Sequence, residues 1–175
     1  MTPLVSIIMG STSDLPIMEK AANRLDALGI PFEILALSAH RTPKEVEAFA
    51  TTAKERGVKV IIGAAGMAAH LCGVIASVTS IPVIGVPIKA SLEGVDALYS
   101  IVQMPPGIPV ATVGINAAEN AALLAVQMMA TSDEELYRRL EAYKESLKDK
   151  VVKANQELSQ LQYKHKTNYS YYHLL

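Results

Sequence analysis

A single cysteine, Cys72, occurs among the 175 residues. An intrachain disulfide is therefore excluded, and a reducing compartment is expected. Charge is scarce and nearly balanced: 16 Lys and Arg stand against 17 Asp and Glu, a formal net charge of −1. A chain so close to neutral has no general surface for nucleic acid, so any anion it binds must be held by a local cluster. The N-terminal stretch "MTPLVSIIMG" has no basic region ahead of its apolar run and no cleavage signature. No signal peptide is expected, and a cytoplasmic location is the default. There is no G-x-G-x-x-G and no G-x-x-x-x-G-K-[ST], which removes the dinucleotide fingerprint and the P-loop. His40, His70, His165 and His173 lack the spacing of metal ligands, so no metal site is expected.

What remains is apolar and patterned. Half of the residues are hydrophobic and 19 % are charged, the balance of a globular domain with a real core. Residues 60–88 carry no Asp, Glu, Lys or Arg, long enough to span a bilayer. Yet Gly63, Gly66, Gly73, Pro82, Gly85 and Pro87 interrupt the run, and its texture changes from β-branched to Ala-rich and back. A strand, a helix and a second strand inside a sheet protein account for it better than a membrane span.

Five short apolar runs read as strands: 4–10, 32–38, 59–65, 82–88 and 109–115. Most lack strict polar alternation, which predicts cover on both faces. Helical spacing appears between them, with Ile17, Ala21, Leu25 and Leu28 in one segment and Val46, Phe49, Ala50 and Ala53 in the next. "MAAHLCGVIASV" and "AAENAALLAVQMMA" are apolar nearly all round, as buried helices are. Thr42, Asn116 and Ser132 each stand three residues before a glutamate and are expected to cap helices, with Pro43 at a first helical position. Alternating strand and helix predicts an α/β domain, a three-layer flavodoxin-like (Rossmann-type) parallel sheet. Residues 133–166 are charged and read as one or two exposed helices, a C-terminal extension. Residues 1–165 form the expected single catalytic domain, and 166–175 a Tyr-rich tail that frays or docks on a neighbouring surface.

Ligands of open parallel sheets bind beyond the carboxyl ends of the strands, where strand order reverses. After the first strand, Gly10, Ser11, Thr12, Ser13 and Asp14 offer hydroxyls and free backbone N–H groups suited to phosphate. Asp14 would repel a phosphate but can cap a helix or accept from ribose hydroxyls. After the second strand comes "SAHRTP": Thr42 and Pro43 are explained by capping, His40 and Arg41 are not. Arg41, just ahead of a helix N-terminus, is a fixed positive fork for phosphate. The same field favours the neutral form of His40, and a neutral imidazole can both give and take a proton. After the third strand, "GAAGMAAHLCG" offers Gly63 and Gly66 for close approach to a flat ligand. His70 reads equally as a core histidine or a catalytic one, and Cys72 lacks a basic partner that would make it a nucleophile. With strand order 2-1-3-4-5 the three loops converge on a site fit for a ribonucleotide monophosphate.

"MGSTSD", "SAHRTP", "GAAGMAAHL", "GVPI", "GVDALYSIVQMPPGIPV" and "NAALLA" occur here in the order and spacing of the PurE family of purine biosynthesis, which this chain resembles over about residues 4 to 165. The resemblance implies conversion of 5-(carboxyamino)imidazole ribonucleotide to 5-amino-1-(5-phosphoribosyl)imidazole-4-carboxylate, an isomerisation without metal or organic cofactor. It implies a homo-octamer with sites at subunit interfaces, the "SIVQMPPGIP" segment reaching a neighbour's site. Ser11, Asp14 and Arg41 match the family's nucleotide-binding positions, with Ser13 and Ser38 assisting. His40 matches the catalytic histidine, and the Gly63–Leu71 loop, with Gly66, His70 and Leu71, matches the wall near the migrating carboxyl group. Met67 and Cys72 depart from the Gly and Pro that many members carry. A second branch of the family carboxylates aminoimidazole ribonucleotide directly and typically has Lys in place of Arg41. A non-catalytic nucleotide-binding module on the same architecture is the rival of another class.

Overall fold

Val5–Met9 (β1) is buried at every position, as a strand covered on both faces must be. Val60–Gly66 (β3) and Val83–Ile88 (β4) share that character, whereas Phe32–Ala36 (β2) is only half-buried and lies at the edge of the sheet. These elements belong to a computed structural model that describes residues 1–167. The tail expected over 166–175 lies, from residue 168 on, outside the described residues.

The sheet is parallel throughout, in the order β2-β1-β3-β4-β5, with β5 at Ala111–Thr112. That is the expected order and places β1 and β3 side by side at the point of reversal. The fifth strand is shorter than the seven residues expected. Pro109 has no N–H to donate, and regular pairing covers two residues only. The segment still follows β4 irregularly, Val113 N donating to Gly85 O and Asn116 N to Pro87 O.

Among the described residues six α-helices accompany the strands: α1 (Leu15–Ala27), α2 (Pro43–Thr52), α3 (Leu71–Val78), α4 (Val95–Val102), α5 (Ala118–Ala130) and α6 (Glu134–Ser159). On one face Ile8, Ile61 and Ala65 pack with Val46 and Phe49 of α2, Cys72 and Ile75 of α3, and Ala97 and Ile101 of α4. Each fully buried isoleucine there contributes about 1.5–3 kcal/mol relative to exposure. α1 and α5 pack together on the sheet's other face, tied by Arg24 Nη2 to Glu119 Oε1 at 2.5 Å. α4 was not foreseen, because its short "VDALYSIV" follows a turn rather than a capping signal. The helical stretch expected to start near Met67 begins only at Leu71, leaving Met67 to His70 as loop.

Two of the expected caps serve other purposes. Asn116 sits at φ 58 and its Oδ1 accepts from Lys89 N, bracing two loops instead of capping α5. Thr42 makes no side-chain cap to α2, since its hydroxyl is engaged with the backbone of Ser38. At α6 the cap is Asp133, one residue beyond Ser132, its carboxylate accepting from Glu135 N and Leu136 N.

Gly63 and Gly85 pair across β3 and β4, and their missing side chains make room for helices. A Cβ at residue 63 would lie 2.8 Å from Cys72 Sγ, and one at residue 85 would overlap Ile101 Cγ2. So Gly63 serves packing of α3 rather than approach to a ligand. At the sheet edge, Ser6 and Glu33 are register partners, and Ser6 Oγ donates to Glu33 Oε1 at 2.6 Å. Arg56 Nη1 meets the same oxygen at 2.9 Å and its guanidinium lies 4.7 Å from the centre of the Phe49 ring.

The chain divides into two compact units, Met1–Tyr137 and Arg138 onward. The second, as described, is mostly α6, one helix rather than two, with Lys144–Glu141 and Lys148–Glu145 pairs on its surface. Among the described residues no helix is long and apolar enough to cross a membrane.

Candidate active site

Three loops leave the carboxyl ends of β1, β2 and β3 at neighbouring places on one edge of the sheet. The loop after β2 is closed on itself. Thr42 N donates to Ser38 O at 2.8 Å, Ser38 N donates to Thr42 Oγ1 at 2.8 Å, and that hydroxyl donates back to Ser38 O at 3.1 Å. A loop so pinned holds its tip, Ala39 to Arg41, in place. His40 and Arg41 are both exposed at that tip.

Arg41 reaches across to the first loop. Its Nη2 donates to Gly10 O at 2.7 Å and its Nε to Ser38 Oγ at 3.4 Å. A guanidinium has five N–H donors, so two such bonds aim the fork and leave donors for an anion. The first loop is a short 3-10 turn, Thr12–Asp14, in which Ser13 N donates to Ser11 Oγ at 3.3 Å. Ser13 Oγ in turn donates to Asp14 Oδ1 at 3.3 Å. Burial pushes the Asp14 carboxyl above the ordinary carboxylate range, and the Ser13 hydroxyl partly offsets this. Asp14 makes no cap to α1, so its carboxylate is not used up by the helix.

The third loop brings His70 to His40. Their rings meet edge to face, 84° apart with centroids 5.0 Å from one another, and His40 Nε2 lies 2.8 Å from His70 Nδ1. One of these nitrogens must carry the hydrogen and the other must be bare, so the tautomer of one ring dictates that of the other. Thirty residues apart in sequence, the two histidines are joined through their ring nitrogens. The core-histidine reading of His70 is thereby overturned: it is exposed and paired.

The remaining residues singled out from sequence fall less directly. Gly66 ends β3, and the place of its absent Cβ is taken by Ala90 Cβ at 2.9 Å, so only its backbone can meet a ligand. Leu71 turns into the core and is 2 % exposed, so its side chain supports the loop from beneath and does not face an open site. Cys72 is fully buried, donates to Gly63 O at 3.3 Å, and has its thiol pushed up to about 12 by burial. That is an inert cysteine.

The sequence reading stopped at three loops and missed a fourth, after β4. Lys89 pairs with Glu93, Ser91 with Asp96, and Leu92 and Glu93 both take left-handed backbone at φ 41 and 57. Strand order alone signals this loop, because β4 lies next to β3 and opens on the same edge. A cavity of about 720 Å³ lies elsewhere, at the amino end of β4, lined by Ser77, Thr79, Pro82, Ile108 and Met128 among others. It holds no titratable side chain and none of the candidate site residues above. Among the described residues no three His, Cys, Asp or Glu side chains gather as metal ligands do.

Known proteins resemble this chain over most of its length. The family described as AIR carboxylase matches residues 4–150. The N5-carboxyaminoimidazole ribonucleotide mutase of Thermotoga maritima is 52 % identical over 167 residues, covering 95 % of this chain and 98 % of that protein. The phosphoribosylaminoimidazole carboxylase of Saccharomyces cerevisiae is 51 % identical over 162 residues, which is 92 % of this chain but 28 % of that protein. The crystal structure of Treponema denticola PurE superposes with a TM-score of 0.79 at 34 % identity, covering 90 % of this chain and 99 % of that one.

Proposed function

The chain belongs to the AIR carboxylase family, and on that premise we propose that it is an N5-carboxyaminoimidazole ribonucleotide mutase, an isomerase of purine biosynthesis. The observation that carries this reading is the 2.8 Å contact between His40 Nε2 and His70 Nδ1, beside an arginine held by the neighbouring loop. The rearrangement needs a group that gives one proton and takes one back. The carbamate C–N bond breaks, its electron pair returns to nitrogen, and nitrogen gains a proton as carbon dioxide departs. The ring carbon then adds carbon dioxide and loses its own proton. No net proton or electron is exchanged, so one histidine able to act in both directions is sufficient.

His40 is the shuttle in this reading, and His70 the partner that sets its tautomer. Arg41, with Ser11, Ser13 and Ser38, holds the phosphate, and Asp14 accepts from ribose hydroxyls. The backbone at Gly66 lies along the imidazole. The protein works as a homo-octamer in the cytoplasm, with sites completed across subunit interfaces by residues 100–109.

The direct carboxylation of aminoimidazole ribonucleotide is the second reading, favoured by the name of the yeast relative. Ultraviolet absorbance of the 4-carboxylated product separates the two. Fast product from the carboxyamino ribonucleotide, and slow product from aminoimidazole ribonucleotide even at high bicarbonate, is the expected result. The reverse preference assigns the chain to direct carboxylation. Product from neither, in folded protein, leaves a binding module.

A further inference from the structure

Pro87, next to last in β4, has no N–H to offer Val113 O, and regular pairing of β4 with β5 does not reach it. Past that break β4 is held by a single residue. Asn116 N donates to Pro87 O at 2.8 Å, and Asn116 Oδ1 accepts from Lys89 N at 2.9 Å. In a parallel ladder one residue gives its N–H to residue i of its neighbour and takes the N–H of residue i+2 on its own carbonyl. Asn116 fills both places, its side-chain carbonyl standing in for the backbone one. It does so one position late: Val113 N goes to Gly85 O, which in regular register would send residue 115 to Pro87. Left-handed backbone at Asn116, φ 58, absorbs the extra residue, and asparagine takes that conformation more readily than most side-chain-bearing residues.

This added rung fixes where the loop after β4 leaves the sheet. At the loop's far end, the place of a Gly94 Cβ lies 2.8 Å from Ile115 Cγ2 and 3.1 Å from Lys89 Cα. Between the two ends, Ala90 Cβ lies 2.9 Å from the place of the absent Gly66 Cβ. Ala90 thus abuts the residue at which β3 gives way to the loop carrying His70, whose Nδ1 lies 2.8 Å from His40 Nε2.

We propose that Asn116 is a positioning residue of the same site: its amide oxygen holds the loop after β4 in register, and through Ala90 and Gly66 this sets the place from which His70 meets His40. This rests on the mutase reading above. Asn116 acts only through these contacts, and what it contributes is the one oxygen that Lys89 N requires.

Two variants isolate that oxygen. Asn116→Gly keeps the left-handed backbone and removes the acceptor; Asn116→Asp keeps both. The hydrogen bond is exposed, so its loss should leave melting temperature and assembled size nearly unchanged. Misplacing a reacting group by about 1 Å costs up to 10²-fold, so Asn116→Gly should lose roughly 10- to 100-fold in kcat, with KM for the carboxyamino ribonucleotide within about 2-fold. Asn116→Asp should recover most of that loss. Nitrogen-15 NMR of the histidine rings in the free protein gives a second readout. The resonances of His40 Nε2 and His70 Nδ1 should shift in Asn116→Gly and return in Asn116→Asp. Unchanged kcat in Asn116→Gly overturns the proposal, as does equal loss in the two variants. A fall in kcat that tracks a fall in melting temperature or a change of assembly also overturns it and makes Asn116 a structural residue only. If the unaltered protein forms no product, the mutase reading fails by itself. The ring spectra then decide the positioning role, and spectra unmoved in Asn116→Gly overturn it.

Discussion

The guanidinium of Arg41 donates to the backbone carbonyl of Gly10 at 2.7 Å, tying the loop after β2 to the loop after β1. The fork proposed to meet the phosphate is thus aimed in advance, so that binding through it would not have to order a long side chain.

Removing that fork should weaken binding far more than folding, because Arg41 is exposed. Charge-assisted hydrogen bonds are worth about 1.5–3 kcal/mol, so Arg41→Ala should raise KM roughly 10- to 150-fold with a smaller effect on kcat. Arg41→Lys keeps the charge but not the planar fork and should fall between. Steady-state kinetics decide it, and an unchanged KM in Arg41→Ala removes the phosphate role.

His40→Asn should bind the ribonucleotide in calorimetry and lose about 10²- to 10⁴-fold in kcat, the usual scale for general acid–base groups. His70→Asn should lose less, since an amide can still accept from or donate to His40 and hold its ring. Equal activity of His70→Asn and the unaltered protein would mean that the pairing at 2.8 Å has no part in turnover.

At Gly85 the interior is already full. Its missing Cβ would overlap Ile101 Cγ2 and lie 3.3 Å from Val110 Cγ1. Gly85→Ala should cost about 1–3 kcal/mol by overpacking. Adding Ile101→Ala should cost less than the two single changes summed, because the methyl added at 85 occupies part of the space vacated at 101. Urea unfolding measures all three, and simple additivity would place the strain elsewhere.

Cys72 should resist thiol reagents in the folded protein at pH 8 and react on unfolding. Its thiol stands near 12 when folded against an ordinary value of 9.0, so the native state favours the protonated form. The resulting stability is complete below pH 9 and is lost as pH rises from about 9 to 12. Cys72→Ala should flatten that part of the stability curve, and an unchanged slope would show that other groups set it.

The strand order and the three converging loops were legible because buried parallel strands are short, apolar and β-branched, and because a reversal of strand order follows from so few arrangements. Helix ends were less legible. Asn116 and Thr42 have the chemistry of caps, but each found a nearer partner across a loop, Lys89 N and the backbone of Ser38. Local sequence spacing contains neither contact. Gly63 looked like an opening for a ligand because sequence does not say which helix lies over a glycine. Here Cys72 of α3 does. His70 was ambiguous for the same reason: its partner is thirty residues away, and only the adjacency of β1, β2 and β3 brings His40 within reach.

The edge strand β2 pairs with one neighbour only, an arrangement prone to slippage. The smallest slide that preserves its two faces is two residues, and it would set Glu33 beside Leu4 or Ile8 in place of Ser6. The carboxylate would then lose its hydroxyl donor and draw away from Arg56, leaving charge against aliphatic neighbours. A single acid thus makes mispaired versions of the sheet unfavourable, and the loop bearing His40 and Arg41 leaves the end of that strand at one height only.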